Sequence, residues 1–174
     1  MLRPFEKIAD RHRDRIFTFA CYHLGNRDDA EDVTQEVLVR LWKNLDALED
    51  ARVLPWIIHV TRNACIDALR RRRSYRAVVT QDPEGETTRY VASPAPGPGA
   101  TTESADLRAQ LEKAIQGLAE PYRSIVILRE IQDLRYEEIV ESLGLPLNTV
   151  KVYLHRGRRK LREELRAFAS HEST

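Results

Sequence analysis

The side chains in this sequence that are best arranged to do chemistry are cations and amides. Between positions 147 and 166 stand Asn148, Thr149, Lys151, Arg156, Arg158, Arg159, Lys160, Arg162 and Arg166, opposed only by Glu163 and Glu164. Guanidinium and ammonium groups meet phosphates, and an amide such as that of Asn148 both donates to and accepts from a base edge. A second basic run, Arg70, Arg71, Arg72 and Arg73, follows Asn63 and Asp67. Adjacent arginines repel one another in water, and a polyanion relieves that repulsion. Cations also suit a helix C-terminus, so part of the run needs no ligand. Asn63 reads equally well as a base-contacting amide or as an ordinary surface residue.

No catalytic constellation accompanies these groups. The sequence has no phosphate-cradling glycine loop, no HExxH and no CxxC. The pairs Asp28–Asp29 and Glu137–Glu138 fall in predicted first turns, where capping and the helix dipole account for them. The expectation is a binding protein and not an enzyme, with no cofactor and no metal. The net charge is only +1 and the pI about 7.8, so the uneven placement of charge matters more than its total. Cys21 and Cys65 lack metal-site spacing and read as reduced core residues. The N-terminus opens on a charged amphipathic pattern unlike a signal peptide, and no apolar run is long enough to cross a membrane. A cytoplasmic location follows as the expectation.

The elements that must carry these residues are all helical. Residues 4–24 place Phe5, Ile8, His12, Ile16, Phe19 and His23 at helical spacing, and Gly25 ends the run. Asn26 reads as the N-cap of a second helix over 27–45, with Asp29 at its third position. Ala30, Val33, Val37 and Leu41 form its apolar stripe, while Asp32, Gln35, Val39 and Trp42 share a neighbouring face. Trp42 either closes the end of the bundle or anchors a protein partner. A third helix is predicted over 54–73, with Leu54, Ile58, Thr61, Cys65 and Leu69 inward and His59, Asn63, Asp67 and Arg70 on another face.

Residues 75–104 are rich in Pro and Gly and carry no sustained apolar period, which predicts a flexible linker. Helices are expected over 105–118, with Leu107, Leu111, Ile115 and Leu118 inward, and from Pro121, with Ile125, Val126 and Leu128 in the core. A short helix over 136–143 then stops at Gly144, and Pro146 opens the basic helix. Two helices joined by a tight glycine turn are the unit that lays one helix in a DNA major groove. The expected fold is all-α: two small helical domains, 1–74 and 105–170, joined by a linker over 75–104, the second containing a helix-turn-helix.

With both modules laid out, the chain resembles the bacterial RNA polymerase sigma factors of the extracytoplasmic-function (ECF) type, in the sigma-70 family. DDAEDVTQEVLVRLWKN resembles region 2.2, the main polymerase-docking helix. PWIIHVTRNACIDALRRRRS resembles regions 2.3 and 2.4, which open and read the −10 element. LAEPYRSIVILREIQDLRYEEIVESLGLPLNTVKVYLHRGRRKLREEL resembles region 4, which reads the −35 element. The resemblance implies that Asp32, Gln35, Glu36 and Trp42 face the polymerase. It implies that Asn63, Asp67, Arg70 and Arg71 lie on the −10-facing helix. It places Asn148, Thr149, Lys151, Val152, Tyr153 and Arg156 on the −35 recognition helix, with Arg159 on phosphate. The implied partners are core RNA polymerase, through its clamp and flap regions, promoter DNA, and a cognate anti-sigma factor where one exists.

The departures are local. Glu120–Pro121 stands where relatives usually have Leu-Pro, and Arg135 where they usually have Ser or Thr. Asn148 and Tyr153 replace a small residue and an Arg. A helix-turn-helix regulator that never joins polymerase is the alternative, and an exposed docking face around Trp42 discriminates between the two.

Overall fold

The computed structural model describes residues 4–79 and 101–172. Helices α1 (Phe5–Leu24), α2 (Arg27–Asn44) and α3 (Asp50–Val79) form the first module. Helices α4 (Thr102–Gln116), α5 (Tyr122–Val126), α6 (Tyr136–Leu143) and α7 (Leu147–Glu172) form the second. Leu45–Ala47 is a single 3-10 turn, and Ile127–Ile131 continues α5 as a wider π-helical turn. No strand occurs among the described residues, so the all-α expectation of two small helical domains is met. The expected linker lies outside the described residues from 80 to 100.

The first module is a three-helix bundle. Its core is Ile16, Phe19, Val37, Leu41, Ile57 and Ile58, all buried, and each such side chain contributes about 1.5–3 kcal/mol by leaving water. Two threonines share this interior at no polar cost. Thr34 Oγ1 donates to the Ala30 carbonyl at 2.7 Å and Thr61 Oγ1 to the Ile57 carbonyl at 2.6 Å. Asn26 caps α2 as expected, accepting from the Asp29 N–H at 3.0 Å.

The third helix differs from its expected bounds at both ends. It begins at Asp50, so Pro55 lies inside its early turns; Ala51, whose carbonyl Pro55 cannot bond, is exposed. It runs on to Val79, because no Gly or Pro follows Arg73 before Pro83.

In the second module Ile115, Ile125, Val126, Leu128, Leu134, Ile139, Val150 and Leu154 are buried. Gly144 ends α6 at φ 65°, the left-handed turn that lets α7 cross α6. Gly157 is there for space: a Cβ would meet Val126 Cγ2 at 2.7 Å, so α5 and α7 approach too closely for a side chain. The start of α6 is secured without a Ser or Thr cap. Glu138 reaches back and accepts the Arg135 N–H at 2.8 Å, which also holds its carboxyl below the usual range. Leu107, inward by its spacing, is instead exposed, since α4 buries its face only from Leu111 onward.

Candidate functional site

Three exposed surfaces carry the residues singled out by sequence. The first is on α2. Asp32, Gln35, Val39 and Trp42 lie three or four residues apart and are all exposed, with Trp42 at 65%. Glu36 is half-buried and bonded to Arg40 at 2.7 Å on the same helix. Trp42 therefore does not close the bundle; Leu41 and Leu45 do that, both buried. A large aromatic held in water beside an apolar Val39 and flanking acids is the composition of a protein-docking face.

The second surface is the outer side of α3. Asp67, Arg70 and Arg71 are exposed, and Asn63 is half-buried with its Nδ2 3.1 Å from His59 Nε2. Asp67 pairs loosely with Arg70 at 3.8 Å, so it steers that guanidinium without removing it from solvent. The four-arginine run is not uniform. Arg72 turns inward, donates to the Leu24 carbonyl at 3.2 Å and pairs with Asp29 of α2, while Arg71 and Arg73 remain outside. Tyr75, at 71% exposure, stands one turn beyond Arg71 on the extended part of α3. Sequence reading assigned Tyr75 to the linker; the lack of any Gly or Pro in residues 74–79 was the signal that could have placed it here.

The third surface is the start of α7. Asn148, Lys151, Val152, Arg156 and Arg159 are exposed, and Thr149 is half-buried. Tyr153 is not with them. Its ring is half-buried, meets Tyr122 of α5 edge to face at 5.4 Å and packs against the core. Arg158, in the same basic run, is tied to Glu130 and so is spent on holding α7 to the π-helical turn. Arg159 pairs only with Glu163 in the next turn, at 3.5 Å and well exposed.

No group of three or more His, Cys, Asp or Glu among the described residues could hold a metal ion, and none of their helices is long and apolar enough to cross a membrane. Cys21 and Cys65 are buried free thiols. Burial is the main cause that pushes both up, Cys21 to about 11 and Cys65 further.

Comparison with known proteins agrees with this layout. Residues 8–75 match the family described as Sigma-70 region 2, and residues 108–161 match Sigma-70, region 4. The chain is 33% identical over 171 residues to the ECF RNA polymerase sigma factor SigE of Mycolicibacterium smegmatis, covering 97% of this chain and 63% of that protein. It is 32% identical over 167 residues to the ECF RNA polymerase sigma factor SigW of Bacillus subtilis, covering 93% of this chain and 89% of that one. Its fold superposes with a TM-score of 0.72 and 25% identity on the sigma factor RpoE, solved with the anti-sigma factor NepR from Bartonella quintana, over 93% of this chain and 96% of that one.

Proposed function

The chain belongs to the sigma-70 family as a sigma factor of the ECF type, and from that premise we propose how its three surfaces divide the work of choosing a promoter. A sigma factor is the non-catalytic specificity subunit of RNA polymerase: the polymerase makes RNA, and this chain selects where. The α2 surface, with Trp42, Asp32, Gln35 and Glu36, docks on the polymerase clamp. The α3 surface meets the −10 element, where Asn63 contacts a base and Arg70 and Arg71 hold the phosphates of a strand whose bases have left the stack. Asp67 keeps Arg70 in position.

The second module lays α7 in the major groove of the −35 element, beside the polymerase flap. Asn148, Thr149, Lys151 and Val152 sit in its first turns, where a recognition helix presents side chains to base edges. Arg156 and Arg159 lie farther along and meet the backbone, which positions without reading sequence. The half-buried ring of Tyr153, packed on Tyr122, supports this face from behind. The domain limits follow as 1–74 for the first module and 105–170 for the second, with the helical end of α3 reaching past the first limit. The site of action is the cytoplasm, and an anti-sigma factor such as those bound by the structural relatives is a further partner.

The exposed Trp42–Val39 face carries this reading against the alternative of a free-standing DNA-binding regulator. Such a regulator has no use for a second protein-docking surface, and reads palindromes as a dimer. Run-off transcription on a fragment library, with core polymerase and with or without this protein, tests it. Promoter-specific transcripts appear only when both are present. Tight, specific binding of duplex fragments by the protein alone, with no gain in transcription, would overturn it.

A further inference from the structure

Tyr136 opens α6 and shares one side of that helix with Ile139, which is buried in the core, and with Val140 and Leu143, which pack against it. The ring of Tyr136 is half-buried and packs there too. Two cations lie over it. The Arg129 guanidinium stands 4.9 Å from the ring centroid, and the Lys151 ammonium of α7 stands 6.0 Å from it. Arg129 is anchored as well, since its Nη1 donates to the Leu134 carbonyl at 2.8 Å. Lys151 is exposed, beside Asn148 and Val152.

We propose that Tyr136 is a positioning residue for the −35 contact: its ring holds the Lys151 ammonium on the base-facing side of α7, where it donates to a guanine edge. The inference rests on the assignment of α7 to the −35 element made above.

The need for such a guide follows from the lysine itself. An ammonium on a flexible four-carbon stem is a point charge that many conformers can present. Beside a duplex, an unguided lysine satisfies itself on the nearest phosphate, and a phosphate contact carries no sequence information. An aromatic face attracts the ammonium and narrows its range without taking up its donors. At 6.0 Å the hold is at the outer limit of such a contact, so Lys151 stays in water and its three N–H groups remain free for a base. Arg129 strengthens the direction. It is fixed to the Leu134 carbonyl, lies closer to the ring and repels a second cation, which leaves Lys151 the side away from the core.

The base follows from the donor set. An ammonium only donates. Guanine presents two neighbouring acceptors, N7 and O6, in the major groove, whereas adenine sets a donor beside its N7, thymine a methyl beside its O4, and cytosine a donor. Guanine is thus the edge on which a held ammonium gains most.

The test uses the full chain bound to core polymerase. Library selection with Lys151→Ala finds the −35 position at which the guanine preference is lost. Promoter fragments carrying guanine or 7-deazaguanine, which lacks N7, at that position are then compared by equilibrium binding. The ratio of the two affinities is internal to each holoenzyme, so partial unfolding of a variant does not alter it. The wild type is expected to prefer guanine about fivefold, and Lys151→Ala to show no preference. Tyr136→Leu keeps an apolar side chain but removes the ring face, and its preference is expected to fall to about twofold. Tyr136→Phe keeps the face and should keep the wild-type ratio. In the Lys151→Ala background, Tyr136→Leu should change the ratio no further. If Tyr136→Leu does not fold, Tyr136→Met carries the same expectation. A wild-type ratio in folded Tyr136→Leu, a loss as large in Tyr136→Phe, or a further loss in the double variant would each overturn the positioning role. A Lys151-dependent preference for a base other than guanine would overturn the choice of base. If Lys151→Ala left every −35 preference intact, the assignment of Lys151 to a base edge would itself fail, and the role of Tyr136 with it.

Discussion

The rings of Tyr122 and Tyr153 meet edge to face with centroids 5.4 Å apart, joining α5 to α7 behind the recognition face. Lys160 lies over the Tyr122 ring at 4.6 Å from its centroid, so one aromatic pair is held from two turns of α7. Tyr153 is half-buried by this contact, while Asn148, Lys151 and Val152 of the same turns are exposed.

Tyr153→Ala is therefore expected to act on stability. The loss is about 1–3 kcal/mol, from an aromatic pairing and a half-buried ring, with the −35 preference of the surviving folded protein unchanged. Thermal melting and promoter-library selection read the two effects separately. An altered preference with an unchanged melt would put the ring on DNA.

Asn148→Ala and Lys151→Ala are expected to change which −35 sequences are used, each at about 1–3 kcal/mol for the base edge it no longer reads. Arg159→Ala should weaken all sequences alike and lower the salt slope of binding by about one unit. Binding of the holoenzyme across a promoter library at several salt concentrations distinguishes them. An Arg159 variant with a new sequence preference would contradict this division of the helix.

The helix-turn-helix and the α2 face were legible in sequence because their signals are local. Gly144, Asn26 and the three- and four-residue spacing of α2 each constrain only their neighbours, and the structure has each where the pattern puts it. Leu107 shows the limit of that reasoning: periodicity defines a face but not what covers it. The setting of Glu120, paired with His23 and Arg62, was out of reach for a related reason. Its partners His23 and Arg62 are 97 and 58 positions away, and the only trace in sequence was an acid where relatives usually carry Leu. The reach of α3 to Val79 was obscured by composition, since the Pro- and Gly-rich stretch begins close behind it.

Trp42→Ala is expected to weaken binding to core polymerase by about 1–4 kcal/mol. The melting of the free protein should move by no more than about 0.5 kcal/mol, because the ring already stands in water. A core-binding titration beside a melt checks both. Unchanged affinity would remove α2 from the docking surface.

The two thiols are expected to be inert in the folded protein. Thiolate is the reactive form, and with Cys21 pushed up to about 11 only about one part in a thousand is ionised at pH 8. Glu112 of the second module adds to the rise, and Arg27 and Arg108 oppose it. A thiol-reactive dye should label the native protein slowly and label both cysteines at once in denaturant. Rapid labelling of Cys65 in the native protein would contradict its burial.

Arg72 has a consequence for measurement at the scale of the whole transcription complex. Its guanidinium fastens α3 to the Asp29 carboxylate and the Leu24 carbonyl, at the very start of α2. The helix proposed to dock on the polymerase and the helix proposed to meet the separated strand are thereby joined like the two arms of a carpenter's square. Where one arm is seated, the other has no angle left to choose. On that proposal, the offset between the enzyme and the first melted bases becomes a gauge cut into the protein, set by the packing of α2 on α3 with this ion pair at the corner.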